Sequence, residues 1–150
     1  MALTWFTTGS SRGFGRSLVT AALAAGDRVV ATARRPETLA DLFAEHGDAV
    51  LPVAFDVTDA DAARAALAQG VARFGRLDVV VNNAGYANVA PIETVGEADF
   101  RAQFETNFWG VYHVSRAVVP QLRAQGGGIV VQFSSIGARS RPPRSACRSW

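Results

Sequence analysis

One stretch near the start of the chain limits what it can fold into: Thr8-Gly9-Ser10-Ser11-Arg12-Gly13-Phe14-Gly15. Leu3, Trp5 and Phe6 precede it as an apolar segment, and an Ala- and Leu-rich helical pattern runs from Leu18 to Ala25. A strand that turns through glycine into a helix gathers backbone N–H groups and the positive end of the helix dipole at one place. In that setting Gly9 permits a tight turn, Gly13 a close backbone approach to a pyrophosphate, and Gly15 close packing of helix on strand. A glycine-rich loop without a ligand is the competing reading, and later segments weigh against it.

Composition narrows the class. A chain of 150 residues, 49% of them hydrophobic, suits one globular domain with a real core. No apolar run is long enough for a bilayer, and Met1-Ala2-Leu3-Thr4 lacks the basic start of a secretory signal. Cys147 is the single cysteine and cannot form an internal disulfide, so a cytoplasmic location is expected. The net charge of +2 is unevenly spread, because Arg139, Arg141, Arg144 and Arg148 fall in the last 12 positions. Removing those four from the 15 basic residues leaves 11 against 13 acidic ones, a mildly acidic body. Nucleic acid is therefore not an expected partner, nor is a membrane, and no metal is expected. All 15 basic residues are arginine.

Short Val-rich runs alternate with helical patterns, the mark of parallel β-α-β units with strands buried on both faces. The patterns predict strands near 3–7, 28–33, 49–54, 77–81 and 128–133, and helices near 13–25, 36–46, 59–73 and 99–124. Gly26-Asp27 ends the first helix, Pro36 suits the first turn of the second, Thr58 or Asp59 caps the third, and Gly75 closes it. Pro120 is expected to kink the long fourth helix. Right-handed crossovers then give an α/β, doubly wound parallel sheet of order 3-2-1-4-5, with a ligand crevice at the carboxyl ends of strands 1 and 4.

The strand ends carry the chemistry. Strand 2 closes on Val30-Ala31-Thr32-Ala33-Arg34-Arg35, with no carboxylate to bind ribose hydroxyls. A guanidinium there can pair with a 2′-phosphate, which favours NADP over NAD, and Arg12 supplies a second cation. The alternative is that Arg34 and Arg35 decorate a solvated loop. Asp56, after strand 3, either accepts from an adenine amino group or caps the next helix. Asn82-Asn83-Ala84-Gly85 follows strand 4, where small residues let the chain pass a flat ligand and an asparagine amide can tie strands together.

Together these segments resemble the short-chain dehydrogenases/reductases, single-domain proteins of Rossmann type that use NAD(P). The resemblance covers residues 3 to about 137. It rests on Thr8-Gly9-x-x-x-Gly13-x-Gly15, Asp56-Val57, Asn82-Asn83-Ala84-Gly85, Thr106-Asn107-Phe108-Trp109-Gly110 and Ser134-Ser135-Ile136-Gly137, in the family's order. It implies that Gly9, Ser11, Arg12, Gly13, Phe14 and Gly15 line the pyrophosphate, and that Asp56 and Val57 flank the adenine. It implies that Asn83, Ala84 and Gly85 pass the nicotinamide ribose, and that Arg34 selects NADP. Asn107 would hold the water of a proton relay, and Ser135, with Ser134 as fallback, would hydrogen-bond the oxygen of a small carbonyl or alcohol substrate. His113 is read as a packed or interface residue. The resemblance also allows the long helix a place in a dimer interface.

The chain departs from the family's pattern at the proton donor. A Tyr-x-x-x-Lys turn is expected shortly after the serine, the lysine favouring the phenolate. Tyr86 and Tyr112 both precede Ser135, and there is no lysine. Residues 138–150 are instead rich in Arg, Pro and Ser and are expected to be disordered. Two readings stand: an abnormal end on a shortened reductase lacking its second half, or a genuine basic tail that binds something acidic. The shortened form implies an exposed apolar edge at residues 129–133, marginal stability and self-association. Functionally it leaves an NADP-preferring oxidoreductase of weak or no turnover, a cofactor-binding remnant, or an interaction protein.

Overall fold

The computed structural model describes residues 2–135, and the Arg/Pro/Ser-rich end lies outside them. Five strands, β1 (Thr4–Thr7), β2 (Arg28–Ala33), β3 (Val50–Ala54), β4 (Val79–Asn82) and β5 (Ile129–Gln132), form one sheet of order β3-β2-β1-β4-β5. All four pairings are parallel, with Phe6 opposite both Val30 and Val80. The expected order holds because each parallel neighbour must be reached by a crossover, and the helices between strands supply it.

Two apolar layers sandwich the sheet. On one face α3 (Ala60–Phe74) and α5 (Gly110–Ala124) bury Ala63, Leu67, Val114 and Val118 against Phe6, Val30 and Val80. On the other, α1 (Gly13–Ala24) and α2 (Ala40–His46) bury Val19, Leu23 and Leu42 against Val29, Ala31 and Val50. Neighbouring strand residues thus serve opposite faces, and both cores are continuous with the sheet.

The second predicted helix is divided. Pro36–Leu39 is a 3₁₀ turn before α2, because the Thr38 N–H and hydroxyl both bond back to the Arg35 carbonyl, 3.1 and 2.6 Å away. Asp59 caps α3, its side chain accepting from the N–H groups of Asp61 and Ala62. The long helix begins at Glu97 as α4 (Glu97–Phe104) and passes through a π turn at Glu105–Trp109, where the Gly110 N–H reaches the Glu105 carbonyl. It then continues as α5 through Pro120. The irregularity expected at the proline therefore has a counterpart nearly three turns after the helix begins, at Asn107.

The two sheet margins differ. On β3, Phe55 N–H donates inward to Ala33, so by the two-residue period Pro52 turns its missing donor outward. On β5, Ile129 and Phe133 donate inward to Asp78 and Asn82, which leaves Val130 and Gln132 to present N–H groups outward. Ile129, Val131 and Phe133 are 61, 36 and 44% exposed, as the apolar-edge reading anticipates.

Candidate functional site

The glycine turn joins three strand ends through a small set of polar groups. Thr8, which the sequence placed in the motif but gave no role, uses its hydroxyl fully. It donates to the Val81 carbonyl (3.3 Å) and accepts from the N–H groups of Asn83 and Ala84 (2.9 Å each). Ser10, also without an assigned role, donates its hydroxyl to Thr7 and accepts from the Thr32 N–H, while its own N–H donates to the Thr32 carbonyl. Both side chains are buried. The turn is thereby fastened to β4 on one side and to β2 on the other.

Asn83 has its amide turned to this frame. Nδ2 donates to the Thr8 and Gly9 carbonyls at 2.9 and 3.2 Å, the strand-tying use of an asparagine that the sequence left open. Gly9 has φ +68°, and a Cβ there would lie 3.0 Å from the Ala84 Cα. At Gly15 a Cβ would meet the Gly9 carbonyl oxygen at 2.3 Å and Asn83 Nδ2 at 2.4 Å. Its close approach is thus to the turn and the end of β4, where the sequence reading expected strand β1. Gly13 has φ +58°, and a Cβ there would face open space.

The mouth of the turn is positive. Arg12 stands at the N-cap of α1 in extended conformation and makes no side-chain cap, and no acid occupies the first turn. The leading N–H groups of α1 thus lack the carboxylate partner that Asp59 gives α3. Arg34 and Arg35 are exposed just beyond β2. Arg12 and Arg34 each lie two residues past the Ser10–Thr32 hydrogen bonds. Among the described residues, Arg16, Arg64, Arg73, Arg76 and Arg101 pair with carboxylates, whereas Arg12, Arg34 and Arg35 at this end, and Arg28, Arg116 and Arg123 elsewhere, do not.

The remaining predicted residues fall on the same end of the sheet in different roles. Asp56 uses Oδ1 to accept from the Thr58 N–H and hydroxyl, closing the turn before α3, while Asp59 supplies the cap. Val57 is a core side chain, 7% exposed, and its carbonyl accepts from His113 Nδ1 at 3.1 Å. His113 is accordingly packed. Asn107, in the π turn, holds the loop after Gly85: Oδ1 accepts from the Tyr86 N–H (3.0 Å) and Nδ2 donates to the Tyr86 carbonyl (2.7 Å). Gln103, missed in the sequence, is 1% exposed and accepts from the Asn88 N–H at 2.6 Å. Residue type alone gave no signal for it, since its role depends on where the fold turns the side chain. Ser134 and Ser135 are exposed just after β5.

A concavity of about 550 Å³ lies elsewhere, lined by Val119, Leu122, Val130 and Gly126 to Gly128 at the amino end of β5. Among the described residues no cluster suits a metal ion, and no helix is long and apolar enough to cross a membrane.

Known proteins share this arrangement. The family described as short chain dehydrogenase matches residues 4–147. Oxidoreductase BOA17 of Botryotinia fuckeliana is 51% identical over 144 residues, which are 95% of this chain and 53% of that protein. A short-chain dehydrogenase from Streptomyces avermitilis superposes with a TM-score of 0.89 at 43% identity, over 94% of this chain and 52% of the other. ElxO, solved with NADP bound, superposes at 0.88 with 28% identity, over 97% of this chain and 60% of its own. This chain spans about half the length of the relatives that it matches. With the motifs, the parallel sheet and the family match in agreement over nearly all of its residues, this chain belongs to the short-chain dehydrogenases.

Proposed function

We propose that this chain binds NADP(H) across the carboxyl ends of β1 and β4, as the nucleotide-holding part of an oxidoreductase that interconverts a secondary alcohol and a ketone or aldehyde. The observation that carries this is the uncapped start of α1 flanked by Arg12 and Arg34, arginines without a carboxylate partner among the described residues. Two guanidiniums beside exposed N–H groups suit a pyrophosphate and a 2′-phosphate, and neither needs to leave a protein partner to bind.

In this reading Gly9, Ser11, Arg12, Gly13, Phe14 and Gly15 surround the pyrophosphate and Arg34 takes the 2′-phosphate. Asp56 receives the adenine amino group beside Val57. Asn83, Ala84 and Gly85 pass the second ribose, with Asn83 acting by holding the turn closed. The cofactor supplies the hydride when bound. Ser135 hydrogen-bonds the substrate oxygen, where a hydroxyl stabilises developing charge. Asn107 acts on the site through the loop it holds; the resemblance alone assigns it a relay water.

The sequence provides no Tyr-x-x-x-Lys pair, which favours a second reading for the 150-residue chain, cofactor binding with little or no turnover. Calorimetric titration with NADPH and NADH tests the first claim, and a carbonyl-reduction assay separates the two readings. NADPH should bind more tightly than NADH. Arg34→Ala should weaken NADPH about ten- to hundredfold and leave NADH within about threefold, the scale of a lost charge-assisted hydrogen bond. Equal loss for both cofactors would remove Arg34 from 2′-phosphate recognition.

A further inference from the structure

One side of α5 carries a stripe that no element among the described residues covers. Tyr112, Arg116, Val119 and Arg123 recur along it at helical spacing and are all exposed, while Val114, Val118 and Leu122 turn to the core. On this face of the sheet α3 packs over β3 and β1, and α5 packs over β4. β5 has no helix of its own there. Two concavities of about 550 and 450 Å³ follow the stripe and share Val119 and Arg123, forming one trough between α5 and β5. Leu122 and Val130 line its amino-end part, and the run from Tyr112 to Arg123 spans about 16 Å, or three turns of helix.

The charge along the trough is of one sign. All 13 acidic residues of the chain lie at or before Glu105, so α5 and β5 hold no carboxylate. Arg116 donates to the Tyr112 hydroxyl at 2.9 Å and lies 5.8 Å from the centroid of that ring, which sets its guanidinium along the stripe. Neither Arg116 nor Arg123 pairs with a carboxylate among the described residues. We propose that this trough docks an acidic amphipathic helix of another polypeptide. Its apolar side would cover Val119, Leu122 and Val130, and carboxylates about two turns apart would meet Arg116 and Arg123. Other occupants match the charge less well. Residues 136–150 contain four arginines and no acid, so like charge would meet like. In a second copy, the helical carboxylates Asp41, Asp61 and Glu97 already pair with Arg16, Arg64 and Arg101. A flat anionic lipid surface would meet the arginines but leave Leu122 and Val130, recessed in the trough, uncovered.

The site stands apart from the cofactor reading and is tested without cofactor. The probe is a fluorescently labelled helical peptide of about 18 residues, read by anisotropy. It carries leucines along one stripe and, beside them, two glutamates at the spacing of Arg116 and Arg123; a control peptide has lysine in place of both glutamates. The full 150-residue chain should bind the glutamate peptide at least about tenfold more tightly than the lysine peptide, with the gap narrowing as salt rises. The Arg116→Glu/Arg123→Glu chain, changed only at exposed side chains, should reverse that preference, and its binding of the lysine peptide shows that it is folded. Val119→Ser should weaken both peptides about threefold, through apolar area left uncovered. Equal affinity for the two peptides, no binding of either, or a preference that survives the double reversal overturns the proposal. Co-sedimentation with phosphatidylglycerol vesicles that the glutamate peptide does not compete away overturns it in favour of a lipid surface. Self-association lost on the double reversal, with no peptide binding by the wild-type chain, overturns it in favour of a second copy.

Discussion

At the scale of single residues, Gly15 and Thr8 show how little freedom the turn has. A helical glycine normally loses about 1 kcal/mol against alanine, so Gly15→Ala should stabilise α1 if propensity decided the matter. The added Cβ would sit 2.3 Å from a backbone carbonyl oxygen, and overpacking against atoms that cannot rotate away costs about 1–3 kcal/mol. We expect the clash to win, with Gly15→Ala destabilised by about 1–2 kcal/mol in urea unfolding and NADPH affinity lost. Much of this was legible beforehand. The glycine spacing, Arg34 and the Asn83 position all stand out in the sequence because residue type alone signals them. The roles of Thr8, Ser10 and Gln103 were not, because each depends on which way one side chain points. Thr8 reaches residues about 75 positions away.

At the scale of elements, the β-α alternation made the sheet order readable, since parallel neighbours admit few connections. The π turn was not, and the Asn107 within it bonds the loop at Tyr86, a tertiary contact that residue type does not reveal. Asn107→Ala should release that loop, and hydrogen exchange should show the Tyr86 amide exchanging about tenfold faster while amides in β2 are unchanged. A second link joins α1 to α2 through Arg16 and Asp41. The Arg16 guanidinium, by hydrogen bonding, holds the Asp41 carboxyl below its ordinary range. A depressed folded-state value means that the pair stabilises the fold above the ordinary carboxylate range and is lost as pH falls through the lowered value. Asp41 is exposed, so the effect is small. Wild type and Asp41→Asn should differ in melting temperature at neutral pH and converge in acid.

For the molecule as a whole, the apolar stripe Ile129, Val131 and Phe133 sets behaviour in solution. A sheet face this exposed favours association, and like charge placed on it opposes pairing. Sedimentation velocity should show concentration-dependent association of the wild-type chain, reduced in Val131→Lys. A monomer with a sharp, concentration-independent melt would contradict this.

Pro52 gives that association a limit. Fibre growth by strand addition needs two adhesive margins on every unit, one to receive and one to offer. Here the β3 side has a gap where a donor belongs, so strand addition is disfavoured at that margin relative to β5.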